Sequence, residues 1–270
     1  MDYFGNIRKM ITVLDEPVQY NLPLYDITQP GTELNMTELV GKDIRLEHTG
    51  SIHCVVTGKK INKSFGDGMS YDAWKSSPEA VESIINPELD QSHLGIGLRD
   101  LEWERNRHSK PHFVYLALTN TIKVGVTREN SIPSRWIDQG AWKVMTFAET
   151  PYRQKAGAIE VALKPYITDK TNWRKMLTDE RGEDTFKIER ERLKDLLPPM
   201  LRQFVLSTDK ILEIKYPVEQ YPQKVNNTSF DKTPVIEGHL TGIRGQYLIF
   251  ADSTVINLRR HSGYQVKISV

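Results

Sequence analysis

The middle of the chain carries side chains whose types suit the chemistry of a phosphodiester. Tyr115, Lys123, Arg135 and Glu160 supply a phenol, an amine, a guanidinium and a carboxylate. Hydrolysis of a phosphodiester needs a base for water, cations for the developing charge and usually a metal held by a carboxylate. Gly125 lies in the same stretch, where the lack of a side chain would let the backbone approach a nucleic acid strand closely.

Three further residues extend this set as candidate contacts to a nucleic acid. Arg128 lies between Gly125 and Arg135, and Asn172 and Arg174 come later in the same stretch. Guanidinium groups bind phosphates through two hydrogen bonds, so we take Arg135 as the main phosphate contact of the group.

The hydrophobic pattern after residue 110 predicts the elements that would position these residues. An apolar run followed by a short turn and a second apolar run is typical of a β-hairpin. Apolar residues at three- and four-residue steps then indicate an amphipathic helix. The predicted elements are strands at 112–118 and 121–127, a helix at 131–140, a strand at 142–148 and a helix at 152–167.

The flanking regions give weaker patterns. Alternation of polar and apolar residues predicts strands at 42–48 and 51–56. Ser77 as an N-cap and Pro78 in the first turn predict a helix at 77–85, and charged stretches predict further helices at 99–108 and 183–197. After residue 233, short β stretches separated by glycines predict a small β-barrel or roll.

Composition excludes several classes of protein. Of the 270 residues, 39% are hydrophobic and 26% are charged, which is ordinary globular usage and excludes wholesale disorder. No apolar run is long enough to span a membrane, and the first residues do not read as a secretory signal. We therefore expect a soluble, cytoplasmic protein with no membrane partner.

The net charge of +1 conceals an asymmetry along the chain. Residues 1–110 contain 12 Lys and Arg against 17 Asp and Glu, whereas residues 111–178 contain 10 against 5. A basic middle segment after an acidic one is expected to attract a polyanion. Chance variation in composition is the alternative explanation.

The strings Val-Tyr-Leu at 114–116 and Lys-Val-Gly at 123–125, with Arg135 and Glu160 on the two predicted helices, resemble the GIY-YIG endonuclease superfamily. Over nearly its whole length the chain is also similar to a bacterial family, domain of unknown function 2797, which has no agreed function. The stretches that carry this second resemblance are 123–128, 133–141, 160–163, 171–174 and 242–248.

The superfamily resemblance implies a role for each matching residue. The tyrosine of the first motif is proposed to activate water, and Tyr115 matches it. Arg135 matches the arginine that stabilises the phosphate, and Glu160 matches the glutamate that binds a divalent cation such as Mg²⁺. Asn172 is a looser match to a later asparagine that often completes the site.

Two positions depart from the superfamily pattern. Phe113 stands where the first motif has its glycine, and Lys123 replaces the tyrosine of the second motif. Related branches tolerate such a lysine.

The resemblance to the family of unknown function also leads to an expectation about zinc. Members of that family often carry two Cys-x-x-Cys pairs, a spacing that binds zinc. The corresponding positions here are Cys54, Thr57, Ser70 and Ala73, and Cys54 is the single cysteine of the chain. Because one thiolate leaves a tetrahedral site without enough ligands, we expect no zinc and a degenerate zinc-ribbon-like module in which Cys54 is a small buried hydrophobe.

Each candidate residue also has an ordinary structural interpretation. Tyr115 could be a core aromatic residue whose hydroxyl group is hydrogen-bonded. Glu160 and Arg135 could be solvated helix residues, and Lys123 could lie on the surface of a strand.

These observations together predict an α+β protein. We expect an N-terminal module at 1–110, a GIY-YIG-like ββαβα domain at 111–178, a helix and linker at 179–232, and a small β domain at 233–270. The expected function is action on DNA or RNA, by divalent-metal-dependent phosphodiester hydrolysis. The alternatives are a non-catalytic module that binds RNA, DNA or a ribonucleoprotein, and a protein-interaction scaffold with a vestigial nuclease fold.

Overall fold

The computed structural model describes residues 1–26, 29–208 and 210–270. Within it the contacts define two compact units. Unit 1 consists of Met1–Lys75, Leu177–Asp179 and Ile214–Val270, and unit 2 consists of Ser76–Met176 and Glu180–Glu213. The predicted division into four segments stays a prediction, because contacts do not test which segments fold independently.

Helices and strands are both present, which confirms the predicted α+β class. The strands, in chain order, are β1 (Asp2–Ile7), β2 (Ile11–Val13), β3 (Gln19–Asp26), β4 (Gln29–Asn35), β5 (Asp43–His53), β6 (Lys60–Ile61), β7 (His112–Leu118), β8 (Ile122–Arg128), β9 (Lys143–Thr150), β10 (Ile211–Glu213), β11 (Asn226–Asn227), β12 (Val235–Arg244), β13 (Tyr247–Phe250), β14 (Thr254–Asn257) and β15 (Tyr264–Ser269).

The α-helices are short. In chain order they are α1 (Tyr71–Ser76), α2 (Leu101–His108), α3 (Ser134–Asp138), α4 (Arg153–Leu163), α5 (Trp173–Leu177), α6 (Phe186–Leu196) and α7 (Pro199–Arg202). Single 3₁₀ turns lie at Thr37–Leu39, Pro78–Ala80, Glu82–Ile84, Pro87–Leu89, Ser92–Leu94, Glu129–Ser131 and Leu258–His261. In the described part of the chain, every helix is too short or too polar to cross a membrane.

Unit 1 is built on one large sheet. Its strands follow the order β11-β14-β13-β12-β5-β15-β1-β3-β2, with β4 paired to β3 and β6 paired to β5. Strand β5 therefore lies between β12 and β15, two strands from the C-terminal part of the chain. The strands expected to form a small C-terminal barrel thus share one sheet with the N-terminal strands, and among the described residues they form no separate sheet.

A buried ion pair lies within unit 1. The Arg244 side chain is 1% exposed, and its Nη1 donates a hydrogen bond of 2.6 Å to Asp179 Oδ1. The guanidinium also lies over the rings of Tyr216 and Tyr221, 5.2 and 5.5 Å from their centroids. Asp179 has a positive φ of 55°, a conformation that Asp and Asn tolerate better than most residues.

Unit 2 has a four-stranded sheet of order β10-β9-β7-β8. The continuous apolar run of β7 is buried because strands pair with both of its edges and side chains cover both of its faces. Helices α4 and α6 contribute apolar side chains to the same core, including Ile159, Leu163 and Phe186. The predicted order of strand, strand, helix, strand and helix is the order of β7, β8, α3, β9 and α4.

Two predicted elements differ from the structure. Residues 77–85 form two 3₁₀ turns and no α-helix, although Ser77 Oγ does accept a hydrogen bond from Glu79 N. Val81 is extended and ends the first turn, as expected for a β-branched residue in a weak helix. Residues 43–53 form one strand, because β5 continues through an irregular register at Gly50, whose φ is 81°.

Candidate functional site

Tyr115, Lys123, Gly125, Arg135 and Glu160 line one cleft of unit 2, with a volume of about 320 Å³. They come from β7, β8, α3 and α4. Glu160 is 9% exposed and Lys123 is 7% exposed, so the alternative that these two are solvated surface residues is wrong. Arg135 is exposed and faces the cleft from its rim.

Tyr115 and Gly125 lie directly opposite each other on β7 and β8. A Cβ atom at Gly125 would lie 2.5 Å from the Tyr115 hydroxyl oxygen and 2.7 Å from the ring carbon that bears it. The register between β7 and β9 shifts between Val114 and Tyr115, and such bulges redirect side chains. The glycine therefore has a packing role, because the tyrosine ring lies across it.

The Tyr115 hydroxyl group is held inside the protein. It donates a long hydrogen bond of 3.4 Å to Gln139 Oε1, and its ring meets the Trp136 ring edge-on at 6.1 Å between centroids. Burial raises the pKa of the Tyr115 phenol, although Arg135 opposes the shift. The group is therefore a neutral hydrogen-bond donor near neutral pH.

Lys123 is the buried cation of the cleft. Burial, and then the nearby charge of Arg135, lower the pKa of its amine to about 8, while Asp169 and Glu160 oppose the shift. A substantial fraction of this amine is neutral in mildly alkaline solution. It can therefore accept a proton under conditions in which an ordinary lysine cannot.

Glu160 lies on α4 between two cationic residues that also line the cleft, Arg153 and Lys164. Burial raises the pKa of the Glu160 carboxyl group, with Lys164 opposing the shift and Asp169 adding to it. Lys164 Nζ forms an ion pair of 3.7 Å with Asp169 Oδ2. Arg153, Glu160 and Lys164 are spaced seven and four residues apart, a helical repeat that could have revealed them in the sequence.

One wall of the cleft comes from residues 84–87. Ile84, Ile85 and Pro87 line it, and the turn Pro87–Leu89 packs on α4. A Cβ atom at Gly157 of α4 would collide with the backbone of Glu88 and lie 2.6 Å from the carbonyl carbon of Pro87. Sequence patterns predict a helix at 77–85 and no element at 86–89, so they do not reveal this wall.

The other predicted residues lie outside this cleft. Asn172 Oδ1 accepts a hydrogen bond of 3.3 Å from Lys175 N in the first turn of α5, and the Arg174 guanidinium lies 4.3 Å from the centroid of the Trp173 ring. Arg128 lines a neighbouring cavity, which also contains Arg135.

Asp90, Glu104 and His108 form a buried cluster, the one group of metal-ligand type found in the described part of the chain. Its carboxylates have structural partners. Glu104 accepts hydrogen bonds from the backbone N–H groups of residues 98–100, and Asp90 accepts from Ser92 Oγ and lies 3.0 Å from His108 Nδ1. This cluster therefore stabilises the start of α2 and the loop before it.

The four positions compared with a zinc site lie close together in unit 1. Cys54 Sγ accepts hydrogen bonds from Ser70 N at 3.1 Å and Thr57 N at 3.5 Å, and Ala73 N donates to Ser70 Oγ at 3.2 Å. Cys54 is buried with Met69 and Ala73. Burial raises the pKa of the thiol, but the hydrogen bonds outweigh it and bring the pKa to about 6.

Comparisons with known proteins give one result. No curated protein and no solved structure matches the chain. The model of a family described as "Protein of unknown function (DUF2797)" matches residues 41–266, which include every residue of the cleft. The chain therefore belongs to the DUF2797 family.

Proposed function

We propose that the cleft binds a phosphodiester group of a nucleic acid and hydrolyses it with the help of a divalent cation held by Glu160. The observation that carries this proposal is the presence of Tyr115, Lys123, Arg135 and Glu160 in one cleft. Together they offer a hydrogen-bond donor, a base, a phosphate ligand and a metal ligand, which is the set that the reaction needs.

We further propose that unit 2 contains a GIY-YIG-like ββαβα core and that residues 54–73 descend from a zinc ribbon. The order of β7, β8, α3, β9 and α4 supports the first statement. The hydrogen bonds from Thr57 and Ser70 to Cys54 Sγ support the second, because backbone N–H groups donate to ligand sulfurs in the same way in zinc sites.

The pKa values of Lys123 and Tyr115 indicate which of the two side chains acts as the base. Lys123, with a pKa of about 8, is the better base for a water molecule, whereas Tyr115 stays protonated and donates a hydrogen bond. Arg135 is exposed at the rim, where its guanidinium can hold two phosphate oxygens. In this proposal the tyrosine orients the reacting groups and the lysine takes the proton.

Glu160 suits a divalent cation. It is buried, and no described residue forms an ion pair with its carboxylate. A bound cation would offset the cost of burying the carboxylate charge, which is the cost that raises its pKa. A Mg²⁺ ion commonly takes one or two carboxylates and keeps waters or phosphate oxygens in its other positions. When bound, such an ion would neutralise charge that develops on the phosphate.

The test is cleavage of labelled DNA and RNA with Mg²⁺ or Mn²⁺. Glu160→Gln keeps the size of the side chain and removes its charge, so we expect a loss of about 10²-fold or more in rate. Glu102→Gln, on the exposed surface of α2, is the matched control and should cleave like the wild type. Equal cleavage by Glu160→Gln and the wild type would overturn the metal role.

A second candidate function is binding without cleavage. It is favoured by Phe113 and Lys123, which depart from the superfamily pattern, and by the cationic residues around the cleft. Binding that persists in a chelator and in Glu160→Gln, together with no cleavage of any substrate, would support this function over hydrolysis.

A further inference from the structure

A second cavity of about 250 Å³ adjoins the cleft in unit 2. The two cavities share Arg135 and Arg153 as lining residues, together with Ile84 and Val126. Arg107 from α2 and Arg128 from the end of β8 line the second cavity and not the cleft, so four arginines line the second cavity.

The orientation of these arginines is set largely by neutral groups. Arg128 Nε donates to Ser131 Oγ at 2.9 Å, and Arg153 donates to the carbonyl oxygens of Ser83 and Ile84, each at 2.9 Å. Arg107 lies over the Trp103 ring, 4.6 Å from its centroid. Aromatic rings and carbonyl oxygens fix a guanidinium without neutralising its charge.

Few carboxylates offset this charge. Glu79 lies 4.0 Å from Arg107, Asp90 is bonded to His108, and Glu160 lies in the adjoining cleft. Burial, followed by the charge of Arg107, lowers the pKa of Arg128, although Glu79 opposes the shift. A bound anion would relieve this repulsion between guanidinium groups.

His112 adds a hydrogen-bond acceptor to the arginines, which only donate. It is fully buried, it lines the same cavity, and its Nδ1 lies 2.8 Å from the carbonyl oxygen of Lys110. Since a carbonyl only accepts, Nδ1 carries the proton and Nε2 of the neutral ring is an acceptor. Burial lowers the pKa of His112 to about 4, which keeps the ring neutral. No described residue donates to this buried Nε2.

The cavity therefore offers guanidinium donors for an anion, and His112 in its wall has one unsatisfied acceptor for a hydroxyl or amino group. A phosphodiester has no proton to donate, so it would leave His112 Nε2 unsatisfied. A ribose bears its 2′-hydroxyl group beside the phosphate, and this group is both donor and acceptor. A deoxyribose at the same place has no donor.

We propose that the second cavity binds a ribose–phosphate unit next to the phosphodiester held in the cleft, with the arginines on the phosphate and His112 on the 2′-hydroxyl group. This inference rests on the proposed function and assigns its substrate as single-stranded RNA. The cleft and the second cavity then hold consecutive nucleotides, with Arg135 and Arg153 between them.

The test measures binding of the full chain by fluorescence anisotropy, with a chelator present to prevent cleavage. The probes are three octamers that differ only at the sugar: uridine, 2′-deoxyuridine and 2′-O-methyluridine. The methyl ether keeps the 2′-oxygen and loses its proton. We expect the uridine octamer to bind about fivefold more tightly than both others, the usual effect of one buried neutral hydrogen bond.

Variants test the arginines independently. Arg107→Gln and Arg128→Gln should each weaken binding of the uridine octamer and make its salt dependence shallower by about 0.7 in slope, the effect of losing one phosphate contact to a single strand. Arg105→Gln, exposed on the same helix as Arg107, is the matched control and should bind like the wild type.

The outcomes separate this inference from the proposed function. Equal affinity for the three octamers, or unchanged binding by both Arg107→Gln and Arg128→Gln, would overturn the ribose–phosphate site. If Arg135→Ala still weakens binding in that case, the proposed function of the cleft survives. If Arg135→Ala also binds like the wild type, both proposals fail.

Discussion

Lys123 makes the stability of the protein depend on pH in the alkaline range. Burial lowers the pKa of its amine from 10.5 to about 8, so the folded chain binds fewer protons than the unfolded chain between these values. Stability therefore rises with pH across this window, and below it the protein bears the cost of a buried charge. That cost is about 3 kcal/mol at most.

Lys123→Met removes this charge and keeps an unbranched side chain. We expect it to raise the free energy of unfolding at pH 7 by about 2 kcal/mol and to have little effect near pH 10.5. Urea unfolding at both pH values measures the difference, and the exposed Lys170→Met serves as control. An equal gain at both pH values would contradict the assigned cause, since only apolar packing would then be responsible.

Gly125 is required by the tyrosine opposite it. Gly125→Ala places a methyl group 2.5 Å from the Tyr115 hydroxyl oxygen, so we expect a loss of about 2 kcal/mol despite the better strand propensity of alanine. Adding Tyr115→Phe should recover part of the lost stability, because it removes the hydroxyl oxygen, the closest atom. The ring carbon at 2.7 Å remains, so the recovery is incomplete. A thermal-unfolding double-mutant cycle measures the coupling, and strict additivity would exclude the contact as its origin.

Helix α4 contains Gly157, a residue that helix propensity disfavours. Alanine at position 157 would gain about 1 kcal/mol of helix propensity. Its methyl group would also collide with the backbone of Glu88, which cannot move as freely as a side chain. We expect Gly157→Ala to destabilise unit 2 by about 2 kcal/mol overall and to displace the turn Pro87–Leu89 from α4. Hydrogen exchange of residues 84–90 would report the displacement, and a net stabilisation would contradict it.

The elements differ in how well the sequence predicts them. The predicted strand at 112–118 has the same bounds as β7, because a short continuous apolar run bounded by polar residues is typical of a buried strand. The turns of residues 77–85 were not predicted, because a good N-cap and a first-turn proline are equally compatible with a 3₁₀ turn. The pairing of β5 with β12 and β15 involves residues far apart in the chain, and local patterns carry no information about it.

The residues of the candidate site also differ in whether the sequence predicts them. Tyr115, Lys123, Arg135 and Glu160 were found from residue types and a family resemblance. Lys164, Asp169 and the wall at residues 84–87 were missed. Lys164 shares the helical repeat of Arg153 and Glu160, a signal that was overlooked. The wall at residues 84–87 depends on how turns that precede β7 pack on α4, which is a tertiary contact and leaves no periodic signal.

Unit 1 is made of three separate segments of the chain. The shortest of its segments, Leu177–Asp179, provides the carboxylate for Arg244. Asp179→Asn retains a residue that tolerates the positive φ and removes the charge, so it tests what the negative charge of Asp179 contributes. We expect a loss of about 3 kcal/mol in urea unfolding, because the buried guanidinium loses the charge of Asp179.

Asp179→Asn combined with Arg244→Met should recover part of that loss, because the buried guanidinium that needs a counter-charge is then absent. A loss in the double variant that equals the sum of the two single losses would indicate that the ion pair contributes nothing through its charges.

The place of β5 in the sheet also constrains how the protein can be made. Glu47 pairs with Val235 and His48 pairs with Val266, so both neighbours of this strand leave the ribosome long after it does. By contrast β7, β8 and β9 are synthesised within a few dozen residues of one another and can pair at once. During translation β5 therefore stays unpaired on both edges at residues 43–48, and only Ile52 and His53 can pair early, with β6, while the sheet of unit 2 is already forming. Such edges are templates for pairing with other nascent chains, and we expect this interval to be when the protein depends most on chaperones.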